Sequence, residues 1–350
     1  MPHAKTPVGV LGATGVVGQR LLSLLEAHPW FEPVWLAASD RSRGAIYGEA
    51  VRWHLASPLP AAAAGMELQP AAPEGCPARL VFSALDSGPA AELEPRFAAA
   101  GHLVISNASA LRMRPDVPLL IPEVNPEHLA LLRQQREYAQ RGGVVTNPNC
   151  STVGLAMALA PLERAFGVEQ VFVTTLQAIS GAGYPGVASL DILANVVPYI
   201  AGEEEKLETE SGKILGTLQS QGGVVPANIA ISAQCNRVPV LEGHTEAVAV
   251  KLRRHAPLAE VRDALARFRG RPQELKLPTA PASPLRIAGG ADRPQPRRDV
   301  EAGGGMTVTV GRLRPCRLLD YKFVVLSHNT LRGAAGAALL NAELIHAEGW

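Results

Sequence analysis

The chain has 350 residues, enough for about two domains, and 47% of them are apolar, as expected of a protein with buried cores. Its 33 Lys and Arg against 32 Asp and Glu give a formal net charge of +1, which excludes a global basic surface for nucleic acid or an anionic membrane. No apolar run approaches the roughly 18 residues of a membrane helix and no leader pattern precedes the first motif, so we expect a cytoplasmic protein.

The first 150 residues alternate short β-branched runs with amphipathic segments, a pattern typical of βαβ units around a parallel sheet. The predicted strands are Pro7–Leu11, Pro33–Ala38, Arg79–Ala84, Leu103–Ser106, Leu119–Ile121 and Val144–Thr146. The predicted helices are Val17–Ala27, Ala90–Ala99 and Pro126–Gln140. This half therefore predicts an α/β, doubly wound, Rossmann-like dinucleotide-binding domain.

From Cys150 onward the pattern changes to one predicted helix, Ser151–Phe166, and longer alternating runs that indicate a second, mixed sheet. These runs are Gln170–Ala178, Ala247–Arg253, Met306–Leu313 and Tyr321–Leu326. The segment Leu277–Gly305 is rich in Pro, Gly and Ala and predicts an extended surface crossing, whereas Leu331–Glu348 predicts a helix that packs on the first domain. We expect a cofactor domain at 1–149 with 329–350 and an α+β domain at 150–328.

A glycine-rich turn, Gly12-Ala-Thr14-Gly15-Val16-Val17-Gly18, follows the first predicted strand and opens a helix. In that context backbone N–H groups and the helix dipole bind a pyrophosphate. The alternative is a tight strand-to-helix turn without a ligand. Because the turn lies at the first βα junction of an apparent βαβ array, we favour phosphate binding.

The second predicted strand is followed by Ser39-Asp40-Arg41-Ser42, where an NAD-binding protein places an acidic residue on the ribose. The hydroxyls of Ser39 and Ser42 and the guanidinium of Arg41 suit a 2′-phosphate, since Arg forms bidentate charge-assisted hydrogen bonds. Asp40 argues the other way, and a solvated basic loop is a further alternative. The segment favours NADP over NAD.

Four scattered cysteines, Cys76, Cys150, Cys235 and Cys316, form no CxxC pair, so we expect neither a disulfide framework nor a metal site. Cys150 lies in Asn-Pro-Asn149-Cys150-Ser-Thr, between a strand and a helix, where N-terminal amides stabilise a thiolate and a developing oxyanion. An inert buried thiol is the alternative, and it suits Cys76 and Cys316 better.

The segment Arg237-Val-Pro-Val-Leu-Glu-Gly-His244-Thr is a polar turn before an apolar run. A thiol nucleophile needs a proton acceptor, and His244 is the best candidate among nine histidines. Arg237 is a candidate for a substrate carboxylate, with a structural ion pair as a nearly equal alternative.

These motifs together resemble the aspartate-semialdehyde dehydrogenase family over essentially the whole chain, most closely its archaeal and fungal branch. The matching segments are GATGVVGQR, NPNCST, QAISGAGYPG, PYIAGEEEK and NRVPVLEGHTE, with RPQPRRD and SHNTLRGAAGAALLNAE in addition. The resemblance implies reversible, NADPH-dependent reductive dephosphorylation of L-aspartyl-4-phosphate to L-aspartate 4-semialdehyde and phosphate. It places this step in the biosynthesis of lysine, threonine, methionine and isoleucine.

The resemblance also implies a role for each candidate residue. Cys150 is the nucleophile that forms a thioester, His244 the acid/base group and Gln177 the residue that orients the centre. Arg237 binds the substrate α-carboxylate, Glu203 the amino group, and Lys206 and Arg112 the phosphate, with Asn149 lining the pocket. Ser180, Gly181 and Asn329 lie at the nicotinamide, and the second domain forms a homodimer or a dimer of dimers.

Three other functions stay open at this stage. An N-acetyl-γ-glutamyl-phosphate reductase of similar fold is disfavoured by NPNCST together with Glu203 and Lys206. A malonyl-CoA reductase is harder to exclude, because a CoA thioester suits the same cysteine, histidine and NADPH. A non-enzymatic NADP sensor with Cys150 as a redox switch is the third, and the set Cys150, Gln177, Arg237 and His244 argues against it.

Overall fold

The structure, a computed structural model, describes residues 4–39 and 42–350. The chain forms two compact units, one of Met1–Leu120, Glu127–Asn147 and Ala338–Trp350, the other of Ile121–Pro126 and Pro148–Ala337. Residues 121–126 and 329–337, which the sequence-based limits place with the cofactor domain, thus group with the second unit. The buried Glu123 and Arg332, which join these two segments through an ion pair, give the physical reason.

The first unit contains a six-stranded sheet, with all neighbours parallel, in the order β3-β2-β1-β4-β5-β6. Its strands are β1 (Thr6–Leu11), β2 (Phe31–Ala38), β3 (Leu68–Pro70), β4 (Leu80–Ser83), β5 (Leu103–Ser106) and β6 (Gly143–Thr146). The strand order reverses between β1 and β4. Doubly wound folds bind ligands at the carboxyl ends of the strands beside such a reversal. The predicted fold class is confirmed.

Two predicted elements of this unit are wrong. Leu119–Ile121 is no strand, because Pro118 lacks an N–H and Leu119 forms only an isolated bridge to Thr146. The predicted helix Pro126–Gln140 is two 3₁₀ segments, Pro126–Gln134 and Arg136–Gln140. They are separated by Gln135, whose extended backbone lets its side chain bond both the N–H and the carbonyl of Val144. The α-helices are α1 (Val16–Leu25), α2 (Tyr47–Ala50), α3 (Ala61–Ala64) and α4 (Ser87–Ala99).

The second unit contains a mixed six-stranded sheet in the order β10-β7-β11-β14-β13-β12. The strands of this unit are β7 (Val168–Gln177), β8 (Thr217–Leu218), β9 (Val224–Val225), β10 (Ala230–Arg237), β11 (His244–Leu252), β12 (Leu285–Ile287), β13 (Val308–Pro315) and β14 (Tyr321–Ser327). The pairs β10/β7 and β12/β13 are parallel and the other pairs of the large sheet are antiparallel. The predicted second, mixed sheet is confirmed.

The helices of the second unit are α5 (Cys150–Phe166), α6 (Ser189–Ile192), α7 (Glu203–Ile214), α8 (Leu258–Ala266), α9 (Arg271–Leu275) and α10 (Pro296–Asp299). The predicted surface crossing 277–305 is partly wrong, since it contains β12 and α10. Leu285 and Asp299 are buried there, because Leu285 extends the sheet and Asp299 accepts hydrogen bonds from two arginines. A π-helical turn, Leu331–Ala335, leads into α11 (Gly336–Glu348). No helix among residues 4–39 and 42–350 is long and apolar enough to cross a membrane.

Candidate active site

Cys150 is the first residue of the 17-residue helix α5, at the positive end of its dipole. Asn149 caps this helix, because its Oδ1 accepts from the amides of Ser151 (2.9 Å) and Thr152 (3.3 Å). The amide of Asn149 donates in turn to Glu210 at 2.7 Å. Three amides near the thiol, those of Asn149, Ser151 and Thr152, are therefore already hydrogen-bonded within the protein.

His244 lies beside the thiol, with its Nε2 3.2 Å from Sγ of Cys150. It is the first residue of β11 and is buried. Its Nδ1 accepts a hydrogen bond from the amide of Ala178 at 3.0 Å. Burial, and to a lesser extent the nearby Arg237, lowers the pKa of His244 to about 3. The imidazole is therefore neutral at neutral pH.

Glu203, the first residue of α7, is the centre of a buried polar cluster. Its carboxylate accepts from Nδ2 of Asn149 (2.9 and 2.8 Å), Nζ of Lys206 (2.9 Å) and Nε2 of Gln177 (3.3 Å). Burial by itself would raise the pKa of Glu203, but Lys206 and the amide donors outweigh it and hold this pKa below its ordinary value. A negative charge is thus fixed close to the nucleophile.

Arg237 and Gln177 are paired at the ends of the parallel strands β10 and β7. Nη1 of Arg237 donates to the carbonyl of Ala178 at 2.8 Å. Burial lowers the pKa of the guanidinium, which the negative charges of Cys150 and Glu203 partly offset. The carboxyl ends of β7 and β10 therefore place Gln177 and Arg237 beside the start of β11, where His244 lies next to Cys150.

The predicted nicotinamide residues of this unit also lie together. Nδ2 of Asn329 donates to Oγ of Ser180 at 2.8 Å, and Oδ1 of Asn329 accepts from the amide of Gly243 at 2.8 Å. A Cβ at Gly181 would lie 2.8 Å from Nη1 of Arg237 and 3.0 Å from Cε1 of His244, so a side chain there would displace these two groups.

Three residues of the site were not predicted. Glu242 accepts from Ser180 at 3.0 Å, Glu210 holds the amide of Asn149, and Ala178 contacts His244 through its backbone. Glu242 lies two residues before His244 in the same motif, and this position could have identified it. Ala178 acts through its backbone, so its side chain gives no indication of this role.

In the first unit the glycine turn has the geometry of a phosphate cradle. Gly12 has φ +72°, and a Cβ there would lie 2.6 Å from the carbonyl of Ala84, while one at Gly18 would lie 2.3 Å from the carbonyl of Gly12. At the exposed Gly15 a Cβ would meet only an atom 3.5 Å away. The backbone of this turn, which includes Thr14, Val16 and Val17, is therefore closely packed at Gly12 and Gly18 and open at Gly15.

The remaining predicted residues of the first unit are Ser39, Arg41, Ser42 and Arg112. Ser39 is exposed at the end of β2, and its carbonyl accepts from the amide of Ser42 at 2.9 Å. Arg41 lies outside the described residues, as does Asp40. Arg112 is buried, and its Nη2 donates to the carbonyl of Asn107 at 2.8 Å. The part of the chain that the structure describes holds no group of three His, Cys, Asp or Glu side chains that suits a metal ion.

Two family models match the chain. Residues 7–132 match the NAD binding domain of semialdehyde dehydrogenase and residues 159–332 match its dimerisation domain. The aspartate-semialdehyde dehydrogenases of Methanothermobacter thermautotrophicus and Archaeoglobus fulgidus are each 50% identical, over 97% of this chain and 98% and 97% of their own lengths. That of Cryptococcus neoformans is 48% identical over 98% of this chain and 97% of its own.

Solved structures agree. The structure of aspartate semialdehyde dehydrogenase with NADP from Candida albicans has a TM-score of 0.92 at 43% identity, covering 98% of this chain and 99% of its own. Aspartate semialdehyde dehydrogenase II complexed with ASA from Vibrio cholerae has a TM-score of 0.78 at 29% identity, covering 99% and 100%. With archaeal and fungal relatives matched almost end to end, the chain belongs to the aspartate-semialdehyde dehydrogenase family.

Proposed function

We propose that the protein is an NADP-dependent aspartate-semialdehyde dehydrogenase, which interconverts L-aspartyl-4-phosphate and L-aspartate 4-semialdehyde with phosphate. The observation that carries this proposal is the 3.2 Å contact between Sγ of Cys150 and Nε2 of His244 at the start of α5. A thiol at a helix N-terminus beside an imidazole is the arrangement required for nucleophilic attack on an acyl carbon.

The other side chains suit a small substrate that is both zwitterionic and phosphorylated. Glu203 offers a carboxylate to the substrate ammonium, and Arg237 a guanidinium to its α-carboxylate. Oε1 of Gln177 is buried without a hydrogen-bond partner among the described residues, which leaves an acceptor for a ligand. Lys206 is half-buried at the same cluster and would neutralise the phosphate together with Arg112. Asn149 lines the pocket between Glu203 and Cys150.

In the reductive direction the Cys150 thiolate attacks the acyl phosphate, the C–O bond to phosphate breaks, and a thioester forms. NADPH, when bound, supplies the hydride that reduces this thioester. His244 faces the reacting atoms, and the fixed positions of Gln177 and Arg237 align the substrate for attack. Collapse of the resulting adduct releases the aldehyde and restores the thiolate.

The glycine turn fits a dinucleotide, since it is open at Gly15 and its backbone is held by close packing at Gly12 and Gly18. The residues that would hold the cofactor are Gly12, Thr14, Gly15, Val16 and Val17 at the pyrophosphate, Ser39, Arg41 and Ser42 at the 2′-phosphate, and Ser180, Gly181 and Asn329 at the nicotinamide. NADP is favoured over NAD because hydroxyls and a guanidinium follow β2. A kcat/KM ratio that favours NAD would contradict this choice.

The test is phosphate-dependent reduction of NADP with L-aspartate 4-semialdehyde, for the wild type and Cys150→Ala in parallel. Activity confined to the wild type supports both the reaction and the nucleophile. A folded wild type that binds NADP but is inactive here and active with malonyl-CoA and NADPH overturns the substrate. Full biological activity of Cys150→Ala would indicate a sensor.

The exposed face of the second sheet supports a homodimer. Phe172 and Leu176 project from β7 on the side opposite its buried residues, and Phe172 is 53% exposed. Leu190 (91%), Leu193 (64%) and Tyr199 (66%) add apolar surface nearby in sequence. Apolar surface of this kind marks protein interfaces, and the matched family model of this region is a dimerisation domain.

Light scattering tests the assembly, with twice the mass of one chain expected for a dimer and four times for a dimer of dimers. Phe172→Glu with Leu190→Glu should shift the protein toward a single chain. Leu318→Glu is the matched control, because Leu318 is 92% exposed on the turn between β13 and β14. A wild type with the mass of one chain would contradict the proposal. Location in the cytoplasm stays a prediction.

A further inference from the structure

Glu242 is a carboxylate beside the predicted nicotinamide residues to which the proposed reaction gives no role. It lies in the turn before β11, and its side chain is 22% exposed. Its Oε2 accepts a hydrogen bond from the hydroxyl of Ser180 at 3.0 Å and another from the hydroxyl of Thr330 at 3.3 Å. One oxygen atom therefore joins the segment Ile179–Ala182 to the residues that lie between β14 and the π-helical turn.

The hydrogen bond to Glu242 fixes the direction of the Ser180 hydroxyl. A hydroxyl has one proton, and that of Ser180 points to Oε2 of Glu242. The hydroxyl oxygen is left with acceptor sites only, and one of them takes a hydrogen from Nδ2 of Asn329 at 2.8 Å. The backbone amide of Gly243 donates in turn to Oδ1 of Asn329 at 2.8 Å. These hydrogen bonds form one chain, in which every donor points toward Glu242.

The chain determines how Asn329 presents its amide. If the amide turned over, its NH₂ would face the N–H of Gly243, donor against donor. Its oxygen would face Ser180, whose proton Glu242 already holds, so that acceptor would meet acceptor. In the observed orientation Nδ2 gives one of its two hydrogens to Ser180. The other is the hydrogen that Asn329 can offer to an acceptor such as the carboxamide oxygen of a nicotinamide.

An ion pair with His328 is an alternative role for Glu242, and the contacts of His328 argue against it. Nδ1 of His328 is 3.9 Å from Oε2 of Glu242. This nitrogen accepts from the amides of Thr330 and Leu331, both at 3.3 Å, so it presents a lone pair to its surroundings. His328 therefore does not hold Glu242 as a cation would.

The segment that Glu242 holds also borders the reacting centre. Gly181 follows Ser180 and lies so close to Arg237 and His244 that a Cβ there would meet both side chains within 3.0 Å. A shift of this segment would change the space beside both of them. The hydroxyl that Glu242 orients is thus one residue away from the wall of the substrate pocket.

We propose that Glu242 positions the nicotinamide end of the cofactor by holding Ser180 and, through it, the amide of Asn329. The inference rests on the proposed binding of NADP by Ser180, Gly181 and Asn329. Glu242 acts through these residues and takes no part in proton or hydride transfer. Its effect should therefore be confined to the nicotinamide half of the cofactor and absent from the half that carries the 2′-phosphate.

The experiment compares the Kd of NADPH with that of 2′-phospho-ADP-ribose, which is the cofactor without its nicotinamide, by calorimetry on the full chain. Glu242→Ala should weaken binding of NADPH by about tenfold, as for one lost hydrogen bond to a charged group, and change binding of the fragment by less than about twofold. Glu242→Gln keeps a carbonyl oxygen for the two hydroxyls and should recover most of the loss.

Glu301→Ala is the matched control for the removal of a carboxylate. Oε1 of Glu301 lies 3.7 Å from Nε2 of His328, and its side chain is 74% exposed. This variant loses a negative charge near the same histidine but no hydrogen bond to Ser180 or Asn329. Both of its Kd values should match those of the wild type.

Ser180→Ala tests the route through the hydroxyl. It should weaken binding of NADPH about as much as Glu242→Ala does, and the double variant should lose less than the two separate losses combined, because members of one hydrogen-bond chain are not additive. Wild-type affinity of Ser180→Ala for NADPH would overturn the proposal, even if Glu242→Ala failed to fold. Equal weakening of NADPH and the fragment by Glu242→Ala would also overturn it, since a general loss of structure would then be the cause.

The wild type separates failure of this inference from failure of the proposed function. A wild type that binds neither NADPH nor the fragment would overturn the proposed cofactor and this inference with it. A wild type that binds both, with unchanged affinities in Glu242→Ala, would overturn the inference alone. None of these measurements uses the semialdehyde, so they do not depend on the identity of the substrate.

Discussion

Gly333 lies against the nucleophile so closely that a Cβ at this position would be 2.6 Å from Cβ and 2.9 Å from Cα of Cys150. The contact comes from the π-helical turn Leu331–Ala335, a conformation that is often found at functional sites. Since the obstructing atoms include the backbone, they have no easy way to move aside. The position of Cys150 therefore depends on the absence of a side chain at residue 333.

Gly333→Ala should reduce kcat/KM by about tenfold to a hundredfold, because a displacement of about 1 Å at a reacting atom has effects of that size. Circular dichroism should show an intact fold. Gly289→Ala is the matched control, since a Cβ at Gly289 meets nothing within 4 Å and its activity should match the wild type. Equal activities for both variants would contradict the positioning role of this turn.

The same turn is anchored by a fully buried ion pair. Nη1 and Nη2 of Arg332 donate to both carboxylate oxygens of Glu123, at 2.8 and 2.6 Å. Removing one member leaves an uncompensated buried charge, so Arg332→Met should lower the free energy of unfolding by about 3 kcal/mol or more. The double variant with Glu123→Met should lose less than the sum of the single variants. Urea unfolding measures all three.

An exposed pair provides the comparison for this loss. Arg267 and Asp263 are 3.3 Å apart on α8 with both side chains largely in solvent. Arg267→Met should change the free energy of unfolding by less than about 0.5 kcal/mol. A loss at Arg332 as small as that at Arg267 would show that the buried pair does not hold the turn.

Much of the site could be predicted because its chemistry is concentrated in short motifs. Cys150 and His244 are indicated by their neighbours in the sequence, and Glu203 and Lys206 by the family resemblance. The sequence alone therefore predicts that these four residues share one site. Glu210 was missed because the charged start of α7 suggests an exposed helix. Its spacing from Glu203, with the buried Leu207 between them, places both carboxylates on the buried face.

Other features depend on tertiary contacts that local patterns do not encode. Glu123 and Arg332 are 209 residues apart in the chain, and nothing in either segment identifies the other. The helix predicted at Pro126–Gln140 has a suitable apolar spacing, but the clamp of Gln135 on Val144 imposes an extended residue in its middle. Tertiary hydrogen bonds outweigh helical propensity there.

Asn149 combines two functions that a single substitution can separate. Asn149→Asp keeps an oxygen for the amides of Ser151 and Thr152, so the stability of α5 should change by less than about 0.5 kcal/mol. The two donors toward Glu203 are replaced by a second carboxylate, and we expect kcat/KM to fall by about tenfold or more at neutral pH.

The pH dependence identifies the cause of that loss. Two facing carboxylates share a proton more readily as pH falls, and the shared proton restores a hydrogen bond. The ratio of wild-type to Asn149→Asp activity should therefore be smaller at about pH 5.5 than at about pH 8. Asn149→Ser, which keeps the cap and adds no charge, should show a ratio that is nearly constant with pH. A constant ratio for Asn149→Asp would exclude repulsion from Glu203.

Asp299 should contribute to stability in a pH window that its surroundings define. Its buried carboxylate accepts from Nε of Arg293 (2.7 Å), Nη2 of Arg286 (2.8 Å) and the amide of Gln295 (2.7 Å). The hydrogen bond from Arg293, outweighing the effect of burial, lowers the pKa of Asp299 from 3.8 to about 2. Because the folded pKa lies below the unfolded one, the contribution is fully present above about pH 4 and is lost as pH falls toward about 2.

Asp299→Asn should therefore lower the free energy of unfolding by about 1–2 kcal/mol at pH 7, discounted for the partly exposed arginines, and by progressively less below pH 4. Urea unfolding at several pH values, with the exposed Asp263→Asn as control, measures this difference, and a difference that stays constant down to about pH 2.5 would contradict the electrostatic origin.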